Sequence, residues 1–432
     1  MTRTVIGVSK TGQNVNATLE RAPIIYEYDT VPLDLASVDE AGILERGQHL
    51  AALLRSGDPV RRGLDTLVSL PLGGDPSPLY FQIRSPAADA VAWEQIYASP
   101  VGFCALDRRS PVGRIADRVI GVKGRTFTPP LRLVAVLSAA QRDPLAQLKA
   151  LRSAIAAYEL PARLHVITGD ADLLSELTGA GESGELIAGT GPEFTRQLTA
   201  SRPHVLHLLC HGRKHSGAIV LDFATIGDVD GGEATEGGLK VSMTELVQAL
   251  LPVDPWLVVL AACETAGSGG LGVRPFVHDL VANGLTAAIG MRRLVDLTDT
   301  DRFCGELYPG LARTIRAAVD PPGRGEQVID WAACLTGPRQ LLASPDPSVV
   351  DRWLDPVLYV QSEDLRVIAE GTAHAGDVAQ LQGRLDTLRA FRAQCTSDTD
   401  PAVLAEVDRW IAESEAALGG AGQDVGEAHH VR

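Results

Sequence analysis

The sequence predicts an α/β protein in which helices cover both faces of a mostly parallel sheet. Apolar runs typical of buried strands alternate with segments whose apolar residues recur at helical spacing. Two of the apolar runs end in residues that can do chemistry, His211 and Cys263. The pattern divides the chain into an α/β portion over 1–125, a core over 126–362 and a charged helical region over 363–432.

The predicted elements follow from periodicity and composition. Residues 42–54 form a helix, because their leucines and Ile43 can share one face, and residues 79–84 form a strand. In the core, the predicted strands are 131–137 and 163–168, and the predicted helices are 144–158 and 191–200. Beyond 363, two helices over 377–395 and 401–418 are predicted to form an antiparallel hairpin, and a Gly- and charge-rich tail from 419 is predicted to be disordered.

The middle of the core predicts a βαβ unit. An apolar run ends at His211-Gly212, residues 241–251 have helical spacing, and a second apolar run from Trp256 leads to Cys263. Two strands joined by a crossover helix are expected to be parallel. The ends of adjacent parallel strands form the crevice where ligands bind, so His211 and Cys263 should lie side by side there.

These two residue types suit nucleophilic catalysis. A free thiol has a pKa near about 8.5, so it needs a neighbouring base to become a strong nucleophile at neutral pH. The His211 imidazole can take that proton. Strand alternation sends Cys210 to the opposite face, where we interpret it as a small buried hydrophobic residue.

The segment resembles the CHAT domains, which are caspase-like cysteine peptidases. The shared pattern is a strand ending in His211-Gly212, followed about fifty residues later by a strand ending in Ala-Cys-Glu-Thr-Ala over 262–266. Weaker blocks at 92–97, 276–290 and 353–360 come in the family's order, so the resemblance covers about residues 25 to 362. It implies a caspase-like fold and leaves open whether residues 1–125 form a degenerate, non-catalytic half.

The resemblance also implies roles for residues. His211 and Cys263 would be the catalytic dyad, and the backbone amides of Gly212 and Cys263 would form the oxyanion hole. Asp296 and Asp299 would lie in a loop that lines the S1 pocket and could bind a basic P1 side chain. The alternative is a solvated loop acid or a helix cap. The implied partners are a protein substrate, such as a co-encoded effector of a stress or antiphage system, and a protein activator.

Composition limits the classes of function. The net charge of −15 argues against nucleic acid or an anionic membrane as the main partner. No apolar run approaches the roughly 20 residues of a membrane span, and no signal-peptide core is evident, so a cytoplasmic protein is expected. The spacing of the six cysteines fits no zinc pattern. The sequence therefore predicts neither a metal nor a cofactor.

Three hypotheses from different classes follow. The first is an active cysteine endopeptidase, and the second is a catalytically silent CHAT pseudo-protease that serves as a scaffold. The third, an unrelated α/β hydrolase or nucleotide-binding enzyme, is disfavoured because no GxGxxG or GxxxxGK(S/T) loop opens a helix and the sequence has no GxSxG elbow. The intact pair of His211 and Cys263 favours the first over the second.

Overall fold

The structure is a computed structural model, and it describes most of the chain. The described residues are 3–12, 14–23, 29–35, 42–71, 74–116, 124–140, 143–215, 218–230, 237–262, 275–293, 295–320, 325–369 and scattered helical residues between 382 and 415. The chain divides into two compact units, Met1–Ala318 with Gln327–Val367, and Val319–Glu326 with Ile368–Arg432. The domain boundaries near 125 and 362 stay predictions.

The helices agree closely with the periodicity of the sequence. They are α1 Ile43–Arg55, α2 Asp58–Val68, α3 Pro86–Asp89, α4 Leu145–Tyr158, α5 Ala171–Gly179, α6 Gly191–Ser201, α7 Ile226–Asp230, α8 Met243–Leu250, α9 Phe276–Ala282, α10 Leu297–Val319 and α11 Ala332–Leu342. Short 3₁₀ helices span Trp93–Gln95, Cys104–Leu106 and Arg352–Leu354. Helix α8 begins at Met243 because Ser242 forms a capping box with Glu245.

The strands include every core strand that the sequence predicts. They are β1 Thr4–Thr11, β2 Asn14–Arg21, β3 Thr30–Leu33, β4 Leu79–Ile83, β5 Tyr97–Ala98, β6 Gly102–Phe103, β7 Val112–Ala116, β8 Arg125–Phe127, β9 Leu131–Leu137, β10 Ala162–Thr168, β11 Ser183–Leu186, β12 Val205–Leu209, β13 His211–His215, β14 Ala218–Phe223, β15 Leu239–Ser242, β16 Leu257–Ala261, β17 Ala287–Met291, β18 Gln327–Ile329, β19 Pro356–Val360 and β20 Leu365–Ala369.

One large sheet organises the first unit. Its order is β11-β10-β9-β12-β16-β17-β19-β7-β4-β1-β2-β3. Strands from β11 to β17 in that order are parallel, β19 is antiparallel to β17, and β7 and β4 continue parallel to β19. The predicted mostly parallel α/β sheet is confirmed. Strands from before residue 125 therefore pair into the same sheet as the core strands.

Helices cover both faces of this sheet. On one face, alternate strand residues join α6, α8 and α9 in a single hydrophobic cluster, which includes Val136, Leu208, Leu260, Phe194, Leu246 and Leu280. On the other face, His207 of β12 contacts Gln147 of α4 and Tyr308 of α10. The strands of the core are thus buried on both sides, which explains why their sequences are almost continuously apolar.

A buried ion cluster joins the N-terminal strands to β19. The Arg114 guanidinium of β7 donates to Glu94 at 2.7 and 3.0 Å and to Asp89 at 3.0 Å, and its side chain is fully buried. Tyr359 of β19 donates to the same Asp89. Burial alone would raise the pKa of Glu94, but the Arg114 charge outweighs it and holds that pKa at about 2. The buried charge of Arg114 is therefore paired with the acids Glu94 and Asp89 inside the first unit.

Ser138, the first residue after β9, joins the ends of neighbouring strands. Its N–H donates to the Leu209 carbonyl at 3.1 Å, and its own carbonyl accepts from the Ala224 N–H at 2.9 Å. The Ser138 hydroxyl accepts from the Gly169 N–H at 3.0 Å and donates to the Ala224 carbonyl. This junction holds the chain that continues to Ala140 against the end of β12.

The second unit contains helical residues that match the predicted hairpin. Described residues between 382 and 393 and between 404 and 415 are helical. Arg389 pairs with Glu415 at 2.6 Å, and Arg392 pairs with Asp408 at 2.7 Å. Because the later residue of one segment pairs with the earlier residue of the other, the two segments are antiparallel. The predicted tail from 419 lies outside the described residues.

Two buried histidines predict that the fold is acid-sensitive. Burial lowers the pKa of both His204 and His207 to about 3 from an ordinary 6.5, so the unfolded chain binds protons that the folded chain excludes. The contribution of the two neutral histidines to the free energy of unfolding should be fully present above pH 6.5. The free energy of unfolding should then fall as the pH drops toward 3, by up to about 1.4 kcal/mol per pH unit for each histidine. We expect urea titrations at a series of pH values across that range to show that the free energy of unfolding of His207→Gln depends less steeply on pH than that of the unsubstituted protein. An unchanged slope in the folded variant would contradict the assignment.

Gly169 tests the junction at Ser138. An added Cβ would lie 2.2 Å from the Ala224 carbonyl oxygen and 2.8 Å from the Ser138 hydroxyl. Gly169→Ala should therefore lower the free energy of unfolding by about 1–3 kcal/mol. Gly189→Ala is the matched control, because its Cβ would meet nothing within 4 Å. Equal unfolding midpoints for the two variants would show that the junction tolerates displacement.

Candidate active site

The candidate site lies at the edge of the sheet where β12 and β16 end. These strands are parallel neighbours, as predicted, and Leu209 pairs with Ala261. His211 follows two residues after Leu209, and Cys263 follows two residues after Ala261. Cys263 itself lies outside the described residues, as does Glu264. The register therefore brings the chain to the same edge as far as the buried Ala262.

One hydrogen bond sets the tautomer of His211. Its Nε2 lies 2.9 Å from the carbonyl oxygen of Ala140. A carbonyl only accepts hydrogen bonds, so Nε2 must carry a proton, and in the neutral ring Nδ1 holds the lone pair. The junction at Ser138 fixes the segment that supplies this carbonyl. His211 is half-buried, and its geometry leaves Nδ1 as the nitrogen that can act as a base.

His211, at which the apolar run ends, begins a new strand, β13. Strands β13, β14 and β15 form a separate antiparallel sheet that follows directly from β12. The reason is the alternation in 219–223, where Ile219, Leu221 and Phe223 are buried in the hydrophobic cluster under α6 and α8. The hairpin gives His211 a fixed backbone. Gly212, the next residue, is half-buried and pairs with Leu221.

A buried acid lies directly opposite His211 on the hairpin. Asp222 is the cross-strand partner of His211, and its side chain is fully buried. The Arg213 Nε lies 2.7 Å from the Asp222 Oδ2. Burial raises the pKa of Asp222, and the charges of Arg213 and His211 and the Gly237 amide oppose that rise. Asp222 thus belongs to the immediate surroundings of His211.

Two other histidines, His204 and His207, lie in the same apolar run and have structural roles. His207 donates from Nε2 to Gln147 at 2.8 Å and accepts at Nδ1 from the Tyr308 hydroxyl at 2.7 Å. The ring is fully buried and satisfied in its neutral form. His204 accepts at Nδ1 from the Arg132 N–H at 3.0 Å and packs on Trp256. Neither ring is available to a ligand at the strand ends.

The described cysteines are buried. Cys210 is 2% exposed and lies in the hydrophobic cluster, which confirms that it faces away from His211. Burial raises the pKa of Cys104 to about 11 and of Cys334 to about 12, and it raises that of Cys304 further. A thiol with a raised pKa is a poor nucleophile at neutral pH.

Asp296 and Asp299 lie at the start of α10, after β17. The exposed Asp296 accepts from the Thr298 N–H at 2.8 Å and so caps the helix. Asp299 lies in the first turn of α10, whereas the sequence placed it in the preceding loop, because the capped helix already begins at Leu297. Its carboxylate accepts from Arg352 at 2.9 Å and is largely buried. The two acids therefore differ in their surroundings: Asp296 is exposed, whereas Asp299 is buried against Arg352.

Across the part of the chain that the structure describes, His, Cys, Asp and Glu side chains form no group of three or more that could hold a metal ion. Within the same residues, no helix is both long enough and apolar enough to cross a bilayer.

Sequence reasoning missed two features of the site. The first is the Ala140 carbonyl, which carries no signal because every residue has a backbone carbonyl. The second is Asp222, whose signal was present, since a charged residue follows directly on the apolar run 218–221. A buried charge in a strand requires partners, and those partners become visible only when the hairpin register is known.

Comparison with known proteins identifies a family. No curated protein matches the sequence significantly. Among solved structures, the Saccharomyces cerevisiae separase–securin complex is similar at 10% identity and a TM-score of 0.37, and the match covers 74% of this chain. The chain spans 17% of the length of that matched chain. The sequence model of the CHAT domain matches residues 95–320, more than half of the 432 residues. This chain therefore belongs to the CHAT domain family.

Proposed function

We propose that this CHAT protein is a cysteine endopeptidase that cleaves a protein partner with a dyad of His211 and Cys263. The observation that carries the proposal is the hydrogen bond from His211 Nε2 to the Ala140 carbonyl. It leaves Nδ1 as the basic nitrogen at the edge where β12 and β16 end side by side. Cys263 follows β16 at the spacing at which His211 follows β12, so the thiol would approach that base.

The proposed chemistry is acyl transfer through a thioester. The proton of the Cys263 Sγ passes to His211 Nδ1, and Sγ bonds to the scissile carbonyl carbon. The tetrahedral intermediate collapses, the C–N bond breaks, and the imidazolium proton goes to the leaving amine. Water then adds to the thioester carbonyl, gives its proton to His211, and releases a carboxylic acid and the free thiol.

Negative charge on the carbonyl oxygen requires donors at the same edge. We assign this role to the backbone amides of Gly212 and Cys263. Gly212 supports the assignment because it lies next to His211 on a strand whose pairing with Leu221 fixes its backbone. Donors that are already oriented stabilise the oxyanion without reorganisation at the moment of reaction.

Partners and regulation extend the proposal. Membership of the CHAT family favours a protein substrate, such as a co-encoded effector in a stress or antiphage pathway, and a protein activator. The segments outside the core, 1–125 and 363–432, are the candidate regulatory regions. An activator would act by binding the active conformation more tightly than the inactive one. If neither dyad variant changes the cleavage of the partner, the result favours the alternative, in which the chain is a pseudo-protease scaffold.

The dyad predicts the effect of two substitutions. Cys263→Ala removes the nucleophile and His211→Ala removes the base, so each should abolish cleavage of the protein partner while leaving the melting curve unchanged. The measurement is cleavage of the partner during co-incubation, followed by gel electrophoresis and mass spectrometry. Cleavage that persists in Cys263→Ala would refute the mechanism.

Cys210→Ala is the matched control for the thiol. Cys210 adjoins His211 in the sequence but faces the hydrophobic cluster. This variant should retain cleavage, with a small loss of stability from the lost buried volume. A folded but inactive Cys210→Ala protein would mean that the wrong thiol had been assigned.

Substrate preference is the second prediction from this proposal. Asp299 is bound to Arg352, so the exposed Asp296 is the stronger candidate for binding Arg or Lys at P1. Asp296→Asn should lower kcat/KM for a basic P1 residue relative to leucine by about tenfold, equivalent to about 1.4 kcal/mol. Asp58→Asn, an exposed helix-start acid on α2, controls for net charge. A peptide library that shows an apolar or acidic P1 preference, unchanged by Asp296→Asn, would exclude the role.

A further inference from the structure

The hairpin that carries His211 also carries a buried acid, and its placement assigns it a role. The inference rests on the proposed function, since it concerns the base of the same dyad. Asp222 and His211 are directly opposite in the β13–β14 register. Directly opposite residues of antiparallel strands project to the same face, with Cβ atoms about 4.5–5.5 Å apart. The carboxylate and the imidazole therefore share one face of the hairpin.

That face is polar, and the other is apolar. Ile219, Leu221 and Val241 lie on the other face and belong to the hydrophobic cluster. Alternation places Arg213 on the face of His211, two residues further along β13. Lys240 of β15 is paired with Asp222 across the next strand and is exposed. Among the described residues of these strands, the charged groups that face Asp222 are therefore Arg213 and His211 on β13 and Lys240 on β15.

The backbone packs closely around this carboxylate. Gly237 approaches so closely that an added Cβ would lie 2.5 Å from Asp222 Oδ1 and 2.1 Å from the Phe223 carbonyl oxygen. Arg213 holds the other oxygen at 2.7 Å. Burial raises the pKa of Asp222, and the Arg213 charge and the Gly237 amide oppose that rise, which favours the carboxylate form beside His211.

The charge matters when the ring takes up a proton. The neutral ring already uses Nε2 to bind the Ala140 carbonyl. When the thiol proton adds to Nδ1, the ring becomes a cation, and a carboxylate within a few ångströms stabilises that cation by Coulomb attraction. The step transfers a single proton, which leaves the Cys263 sulfur and binds to the His211 nitrogen. The thiolate–imidazolium pair becomes more populated.

We infer that Asp222 is a positioning residue for His211, which stabilises the imidazolium form from the neighbouring strand. It acts through His211 and does not touch the reacting atoms. Arg213 weakens this stabilisation because its own positive charge pairs with the same carboxylate. Gly237 packs closely against the carboxylate. The device is electrostatic, so it can be measured on the histidine itself without a substrate.

The test is an NMR titration of the His211 imidazole in the full chain carrying Cys263→Ala. With Asp222→Asn added, the titration midpoint of His211 should fall by about one pH unit. Asp228→Asn is the matched control. Asp228 is the next acid along the same segment, and it binds the backbone amides of Thr225 and Gly238 at 2.7 Å each. It should leave the midpoint unchanged. An unmoved midpoint in folded Asp222→Asn overturns the inference.

A reciprocal variant covers the outcome in which Asp222→Asn does not fold. Coupling between two titrating groups is mutual, so His211→Gln should raise the midpoint of the Asp222 carboxyl ¹³C titration. An Asp222 midpoint that does not respond to His211→Gln overturns the inference equally. These readouts are separate from cleavage. Coupled titrations in a chain that cuts no partner would refute the peptidase proposal alone, and cleavage with uncoupled titrations would refute the role of Asp222 alone.

Discussion

The in-register parallel pairing of β12 with β16 is the constraint on which the site depends. Each strand is buried on both faces, so a slip by one residue would turn its apolar side chains to the wrong neighbours. The pairing of Leu209 with Ala261 therefore fixes where each chain leaves the sheet. It also brings His211 and the approach to Cys263 to one edge. On the other side of β12, its parallel pairing with β9 lets the Leu209 carbonyl accept a hydrogen bond from Ser138, which sets the position of Ala140.

The sequence predicted this framework because its signals are local. Alternating apolar runs predicted the strands, and the spacing over 241–251 predicted the crossover helix, which begins at Met243 after the capping Ser242. Two features were not predictable. The hairpin that begins at His211 has no clear sequence signal, because its polar face obscures the alternation of Ile219, Leu221 and Phe223. The start of α10 was also missed, although Asp296 is an ordinary helix cap.

The polar surroundings of His211 could not be predicted for a different reason. They come from separate segments, with a carbonyl after β9, a carboxylate on β14 and an amide at Gly237. Sequence spacing gives no distance between such groups until register and crossover are known. The site's chemistry is thus set by tertiary contacts, whereas its location is set by strand patterning.

Three histidines on one short stretch show how the environment assigns a role to the same side chain. His204 and His207 lie within the sheet, where burial lowers the pKa of each to about 3 and holds the rings neutral. His207 is satisfied at both nitrogens by Gln147 and Tyr308, which leaves it no free lone pair. His211 lies beyond the last residue of β12, half-buried, with a backbone carbonyl at one nitrogen and a buried carboxylate across the hairpin. Of the three rings, that of His211 is the one that combines a half-buried position at the end of the apolar run with a buried carboxylate across the hairpin.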